Sequence, residues 1–435
     1  MSTTATAPRP ESTTPSSAKG ISGKPVTWRT PIVLAFMAVV ALLIFGILGP
    51  NQEASFGISS GGDFFQLPAI IVPAFAAGII LSIILLGLAG WTIYLKTKGT
   101  AAPAWLPVLF IVVFVVAFLI WVVGGARTPS ISLAGLIAGS VTLAVPLVFG
   151  SLSGVLCERV GVVNIAIEGQ LLGGAFTAAI VSSITKNPFI GLLAAALAGA
   201  VISMVLALFS IKYVVNQIIV GVVLNVLVSG LTGFLFSTVM QSDPQKYNSP
   251  EGLPIVEIPL LSSIPILGPI LFKQSVVGYL MYFAVFAVWV GLFKTKWGLR
   301  VRAVGEHPQA ADTMGINVNA TRFWNVTLGG AVAGIGGSFF TLVAIDSFTK
   351  EISGGRGFIA LAALIFGRWN PIGAFFAALL FGFADNLQSI LTIIGTPVPS
   401  QFMAMLPYLV TVLAVAGLVG KSRGPAASGI PYVKG

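Results

Sequence analysis

Residues Lys294–Arg322, KTKWGLRVRAVGEHPQAADTMGINVNATR, form the longest clearly polar segment between apolar runs in the second half of the chain. The flanking runs, Ser275–Phe293 and Phe323–Ile345, are largely hydrocarbon and about twenty residues long, the length at which an α-helix crosses a bilayer. Lys294, Lys296, Arg300, Arg302 and Arg322 stand at the borders of these runs, and the positive-inside bias assigns the loop between them to the cytoplasm. Within it, His307–Ile316 is opened by Pro308 and closed near Gly315, which predicts a helix of one to three turns lying against the membrane surface. Ala310, Ala311 and Met314 are spaced to give one small apolar face, with Gln309 and Asp312 polar. Such a loop is either a connector or a docking element for a cytoplasmic partner, and Gly305 and Gly315 suggest a fixed shape.

Composition agrees with that reading. A chain of 435 residues that is 56% hydrophobic and 8% charged, with mean hydropathy +0.99, has more apolar surface than a water-soluble fold hides. The fold class is an all-α polytopic membrane protein. The net charge of +10 does not point to nucleic acid, because the basic residues sit singly or in small groups at the borders of apolar segments, where topology and anionic lipid account for them. A single cysteine, Cys157, excludes an internal disulfide, and a single histidine, His307, leaves no Cys/His cluster for a metal. No cofactor is expected on this chain.

From the start, residues 1–30 are rich in Ser, Thr, Ala and Pro and are expected to be a disordered cytoplasmic tail. The membrane domain is expected over 31–420, followed by a cytoplasmic tail over 421–435. Its segments are Thr30–Pro50, Gln66–Leu95, Pro103–Val123, Ile131–Gly150, Ile165–Thr185, Pro188–Ile211, Val214–Val239, Ser275–Phe293, Phe323–Ile345, Gly357–Phe366, Ile372–Leu391 and Phe402–Gly420. Ile165–Thr185 is short and Gly357–Phe366 too short to span as a straight helix, so the count is ten to twelve, with some segments broken or re-entrant and both termini inside. The link 240–274 holds six prolines, from Pro244 to Pro269, and reads as an external loop that packs or re-enters at the surface. The pairs Gly135/Gly139, Gly150/Gly154, Gly169/Gly173 and Gly330/Gly334 are each four apart, which lets helix backbones approach closely.

Two polar clusters interrupt the apolar runs. In the first, Asn164 and Glu168 would share a helical face, with Gln170 beside them; Glu168 either neutralises the free N–H groups of a first helical turn or shapes a discontinuous part of a translocation pathway. In the second, Asp385, Asn386 and Gln388 lie inside an apolar run. A carboxylate there faces protein or water, so Asp385 is either neutralised by a partner such as Arg356 or Arg368 or lines the pathway. Asn216, Gln217 and Asn225 add uncharged donors and acceptors of the kind a sugar or base would meet. Enzymatic motifs are missing: GLVGKS at Gly417–Ser422 ends like a phosphate-binding loop, but Val415 stands where its first glycine belongs, and it closes an apolar helix.

Three runs together carry a resemblance. GVVNIAIEGQLLGGAF at Gly161–Phe176, RAVGEHPQAADTMGINV at Arg302–Val318 and GRGFIALAALIFGRWNPIGAFFAALLFGFADNLQ at Gly355–Gln388 are similar to the permease subunits of bacterial ABC importers for simple sugars and nucleosides, which are related to branched-chain amino-acid permeases. The resemblance covers roughly Ile131–Gly420. It implies a translocation pathway in the bacterial cell (inner) membrane, formed with a second, homologous or identical, permease. It also implies two cytoplasmic ATPase subunits that use the ATP, and an extracellular or periplasmic substrate-binding protein. Asn164, Glu168 and Gln170 match the family's NIxxEGQ run, and the segment around Gly305, Glu306, Pro308, Ala310, Ala311, Asp312, Met314 and Gly315 is similar to the helix that couples to the ATPase. Two features depart from the family: Gln217 stands where many relatives have Glu, and the link 240–274 and the first tail are longer than usual. By the same resemblance the substrate is a nucleoside ahead of a simple sugar or an amino acid; a secondary transporter and a membrane scaffold without transport are the rival classes.

Overall fold

The structure, a computed structural model, describes residues 28–59, 64–100, 102–103, 105–396, 398–399, 401–402, 405 and 424–434. Ten helices among the described residues are long and apolar enough to cross a membrane. The expected first tail lies outside the described residues up to position 27, and so does nearly all of the expected segment Phe402–Gly420.

The chain divides into two units, residues 1–48 with 78–118, and residues 49–77 with 119–435. The first contains α1 (Arg29–Ala41, continued by a π-helical turn to Ile47) and most of α2 (Ala74–Thr97) and α3 (Trp105–Gly124). These helices are apolar on every side, as helices facing lipid are, and Phe45 packs edge-on against Phe114 at 5.4 Å.

In the second unit, β1 (Glu53–Gly57) pairs antiparallel with β2 (Ile70–Pro73) and parallel with β3 (Ser130–Ser132). The helices that follow are α4 (Leu133–Glu158), α5 (Ile167–Thr185), α6 (Pro188–Ala207) and α7 (Gln217–Leu235), the last two prolonged by π-helical turns to Lys212 and Met240. Ser132, Asn187 and Asn216 accept backbone N–H groups at the starts of α4, α6 and α7, so these helices begin on capping side chains. The link 240–274 contains α8 (Pro244–Tyr247) and a hairpin of β4 (Ile255–Glu257) with β5 (Lys273–Ser275). It is tied down where Leu253 N–H meets Leu342 O at 2.7 Å and Ser182 Oγ meets Glu251 O at 3.1 Å. The chain continues through α9 (Val276–Lys294), α10 (Lys296–Glu306), α11 (Pro308–Thr313), α12 (Val318–Phe339), α13 (Arg356–Phe366) and α14 (Pro371–Ile394).

The core is α12 enclosed by α4, α5 and α6. Glycine makes this approach possible: a methyl group on Gly334 would lie 2.1 Å from Ala195 O of α6, and one on Gly174 2.4 Å from Gly334 O. Hydrocarbon lipid supplies no drive for helices to associate, so backbone-to-backbone contact supplies it.

Several boundaries differ from the sequence reading: the segment expected from Gln66 becomes helical only at Ala74, because Ile70–Pro73 pairs with β1 as a strand. α4 runs past Gly150 to Glu158, which is 7% exposed and whose carboxylate accepts a hydrogen bond from Trp369 Nε1 at 2.5 Å. α12 begins five residues before Phe323 and takes in Arg322, which is 2% exposed instead of standing at a border. Asn164 does not share a helical face with Glu168: it precedes α5, in a stretch whose Val163 N–H is taken by the side chain of Gln217 at 2.7 Å, so that the backbone does not close into a helix.

Candidate translocation site and coupling surface

Two helices of the second unit start inside the bundle, and their N-termini meet. α5 begins at Ile167, and α13, with 11 residues, is about 16 Å long, roughly half of a hydrocarbon core. The carboxylate of Glu168, in the first turn of α5, accepts hydrogen bonds from Ser353 Oγ at 2.6 Å, Gly355 N at 2.8 Å and Gly357 N at 2.6 Å. Two N–H groups at the start of α13, those of Gly355 and Gly357, are therefore satisfied by a side chain from another helix, while Arg356 N–H donates to Ser353 O at 3.0 Å. Glycine is required on both sides of that bond: Gly355 has φ +79, and a Cβ on Gly357 would lie 2.5 Å from Glu168 Cα.

Neighbouring side chains fix the same crossing. Asn225, part-way along α7, accepts from Gly169 N–H and donates to Ile165 O, both at 2.8 Å. Ser229, one turn on, donates to Glu351 Oε1 at 3.1 Å, and Glu351 itself is exposed. On the other side of α13, Arg356 Nη2 is 3.1 Å from Asp385 Oδ2 of α14, and its guanidinium lies 5.6 Å from the Phe340 ring. Behind Glu168, Asn164 Nδ2 reaches Ser153 Oγ at 3.1 Å and Gln170 Oε1 at 3.0 Å, while Gln170 Nε2 reaches Ser203 Oγ at 2.8 Å. All four side chains are fully buried, so this network joins α4, α5 and α6 in the interior.

One end of the unit gathers Arg159, Lys212, the α10–α11 segment, Trp369 and residues 424–434. Here α10 touches the turn between α4 and α5: a Cβ on Gly305 would lie 2.1 Å from Arg159 O. Arg159 Nε donates to Trp369 O at 2.8 Å; burial pulls its guanidinium below its ordinary pKa, and the nearby Glu306 carboxylate opposes that shift. In α11, Pro308 and Ala311 are buried, Ala311 being 4% exposed, whereas Gln309, Ala310 and Thr313 face outward and Met314 just after it is 81% exposed. The apolar face read from Ala310, Ala311 and Met314 is thus divided: Ala311 packs into the chain's own core with Val301 and Val304, and the other two point away from it.

The family model described as the branched-chain amino acid transport system permease component matches residues 136–415. The chain belongs to this family. It is 40% identical over 309 residues to the guanosine ABC transporter permease protein NupQ of Bacillus subtilis (strain 168), covering 69% of this chain and 97% of that protein. It is 38% identical over 312 residues to the nucleoside ABC transporter permease protein NupC of Lactococcus lactis subsp. cremoris (strain MG1363), covering 69% and 96%. A putative glucose ABC transporter permease protein, TsgC13 of Haloferax volcanii, is 32% identical over 305 residues, covering 65% and 91%. No solved structure matches the chain. The protein is a multi-pass membrane permease subunit of an ABC importer and not an enzyme. Among the described residues no three His, Cys, Asp or Glu side chains are grouped as a metal site.

The permease brings together Glu168 and Asn225 at the α5–α13 crossing, with Asp385 reaching the same helix through Arg356. Others stand apart. Asn216 is the exposed cap of α7; Gln217 is buried against Val163, and its Nε2 has no hydrogen-bond partner among the described residues. Asn386 donates to Leu136 O of α4 at 2.7 Å, and Gln388 is half-buried further along α14. The crossing also uses Ser229, Glu351 and Ser353, which sequence reasoning did not single out as site residues. The signal for Ser353 was present in SGGRG, Ser353–Gly357, with two glycines just before a helix too short to span and a third in its first turn.

Proposed function

We propose that this permease forms half of the translocation pathway of an ATP-driven importer of nucleosides in the bacterial cell membrane, working with a second permease, two cytoplasmic ATPase subunits and an outer substrate-binding protein. The observation that carries the pathway reading is the meeting of the start of α5 with the start of the short helix α13 at Glu168, inside the bundle. Polar groups there, including the exposed Glu351, are costly against lipid and tolerable beside water or protein. Glu168 and Asn225 line or border the pathway; Asp385, through its pair with Arg356, and Asn164, Gln170, Asn216, Gln217, Asn386 and Gln388 act on it through the helices they hold or cap. Two relatives whose names specify guanosine or nucleoside support the substrate class. A simple sugar is the second reading, supported by the relative named for glucose.

The end bearing Lys212 and Lys294–Arg302 faces the cytoplasm, as do both termini, and the link 240–274 faces outward. ATPase subunits dock on the segment from Gly305 and Glu306 through Pro308, Ala310, Ala311, Asp312 and Met314 to Gly315. ATP binding between them biases inward- and outward-open states through the contact of Gly305 with the Arg159 turn. The test is uptake of labelled guanosine and labelled glucose by cells that express the permease with its partner subunits and lack their own carriers. ATP-dependent guanosine uptake that glucose does not compete is the expected result, and the reverse competition overturns the nucleoside reading.

A further inference from the structure

Residues Gly424–Lys434 lie outside the stretch matched by the family, which ends at position 415, yet they are bonded to its most functional surface. Ala427 N–H donates to Gly305 O at 2.9 Å, Ala426 N–H to Glu306 Oε2 at 3.2 Å, and Gly429 N–H to Gly161 O at 3.2 Å. One short segment therefore joins the end of α10 to the turn that leads into α5. Beyond it, Tyr432 is 8% exposed and packs in the same apolar cluster as Val162, Val304 and Ala311, and Lys434 Nζ is 3.9 Å from Asp312 Oδ1 of α11. Arg322 supplies a further anchor. Its Nη1 donates to Ile430 O at 3.0 Å, while its Nε and Nη2 are buried with no hydrogen-bond partner among the described residues, so among these the carbonyl of Ile430 is what this guanidinium holds in the interior.

We propose that Gly424–Lys434 is a strap that positions the coupling helix: it clamps α10 and α11 onto the α4–α5 turn, so that force from the ATPase reaches the Glu168 crossing. The physical reason is size. α11 has six residues and about one and a half turns, too short to hold a fixed orientation by its own hydrogen bonds. Pro308 and Ala311 bury it on one side, and Tyr432 and Lys434 close over Asp312 next to them. Without the strap α11 keeps its sequence and its outward face but loses the partner that sets its angle against α12, and Arg322 loses its acceptor. The strap is a positioning element and touches no substrate.

This inference rests on the reading of α11 as the ATPase docking segment, and the experiment separates the two. The full complex of permeases, ATPases and binding protein is reconstituted with a permease ending at Arg423, and with full-length Ala427→Pro and Tyr432→Ala variants. Ala427→Pro removes the N–H donated to Gly305. Expected are normal amounts of permease in the membrane, ATP hydrolysis that the loaded binding protein no longer stimulates, and transport reduced at least tenfold. Addition of a synthetic Gly424–Lys434 peptide should return part of the stimulation to the truncated complex, which a merely misfolded permease would not show. Should the truncated chain fail to accumulate, the two full-length variants decide: normal abundance with a tenfold loss of stimulated hydrolysis supports the strap, and wild-type stimulation in both overturns it. If Ala310→Trp, on the outward face of α11, leaves ATPase association intact, the docking reading itself fails. If Ala310→Trp releases the ATPase while the strap variants transport normally, only the strap is wrong.

Discussion

Glu168 Oε2 accepts the backbone N–H of Gly357 at 2.6 Å, so the first turn of α5 holds the first turn of α13 across 189 residues of sequence. This is the bond on which the broken geometry of the bundle turns. Glu168→Ala removes an acceptor shared by Ser353, Gly355 and Gly357. Buried donors left without an acceptor cost about 1–3 kcal/mol each, so the variant should unfold in detergent well below wild type and transport nothing. Glu168→Gln keeps one acceptor oxygen and should fall between. A melting curve for Glu168→Ala that overlays wild type would mean that α13 is held by other contacts.

The Arg356–Asp385 pair makes a different prediction. Both side chains are about 30% exposed, and removing one charge strands the other within the bundle at a cost of order 2–4 kcal/mol. Asp385→Asn should lower membrane abundance, and a second change, Arg356→Gln, should restore it. If Asp385→Asn instead accumulates normally and only transport is lost, the carboxylate serves the pathway directly and the pair is incidental.

Gly305 tests the contact between loop and turn. A methyl group there would lie 2.1 Å from Arg159 O, a backbone atom that cannot swing away, so Gly305→Ala must move α10 or the α4–α5 turn. Overpacking of this kind costs about 1–3 kcal/mol. We expect a folded permease whose ATP hydrolysis and transport are uncoupled; full coupling in Gly305→Ala would show that this contact does not transmit.

Much of this architecture was legible in the chain. The helix opened by Pro308, the helix too short to span at Gly357–Phe366 and the glycine pair at Gly330 and Gly334 all follow from local rules of length, capping and close packing. What was not legible depends on long-range partners. Nothing in the period of α5 indicates that Glu168 satisfies a helix start 187 residues away at Gly355, or that Arg322 is buried because Ile430 offers it a carbonyl. Asp385 was half-legible: Arg356 was one of two possible partners, and the 3.1 Å contact selects it over Arg368. Ala311 misled because a six-residue helix exposes one face and buries another, and spacing alone does not say which is which.

Orientation is checked with introduced cysteines at two exposed positions, Gln245 in the link 240–274 and Thr295 at the start of α10. In intact cells an impermeant thiol reagent should label Gln245→Cys and spare Thr295→Cys; Cys157 is fully buried and contributes no background. Labelling of Thr295→Cys alone would invert the topology and remove the cytoplasmic assignment of α11.

The two neighbouring alanines of α11 separate docking from folding. Ala311 is 4% exposed against Val301 and Val304, so Ala311→Trp forces an indole into a filled space and should lower stability by about 1–3 kcal/mol or more, with less permease in the membrane. Ala310 is exposed beside Gln309 and Met314, so Ala310→Trp should leave the melting temperature and membrane abundance unchanged. On a surface that receives the ATPase, however, the indole holds the two proteins apart. Co-purification from detergent should then show Ala310→Trp without its ATPase and Ala311→Trp scarce but, where folded, still carrying it. If Ala310→Trp retains the ATPase at the wild-type ratio and supports import, the outward face of α11 is solvent-facing and docking occurs elsewhere on the cytoplasmic end.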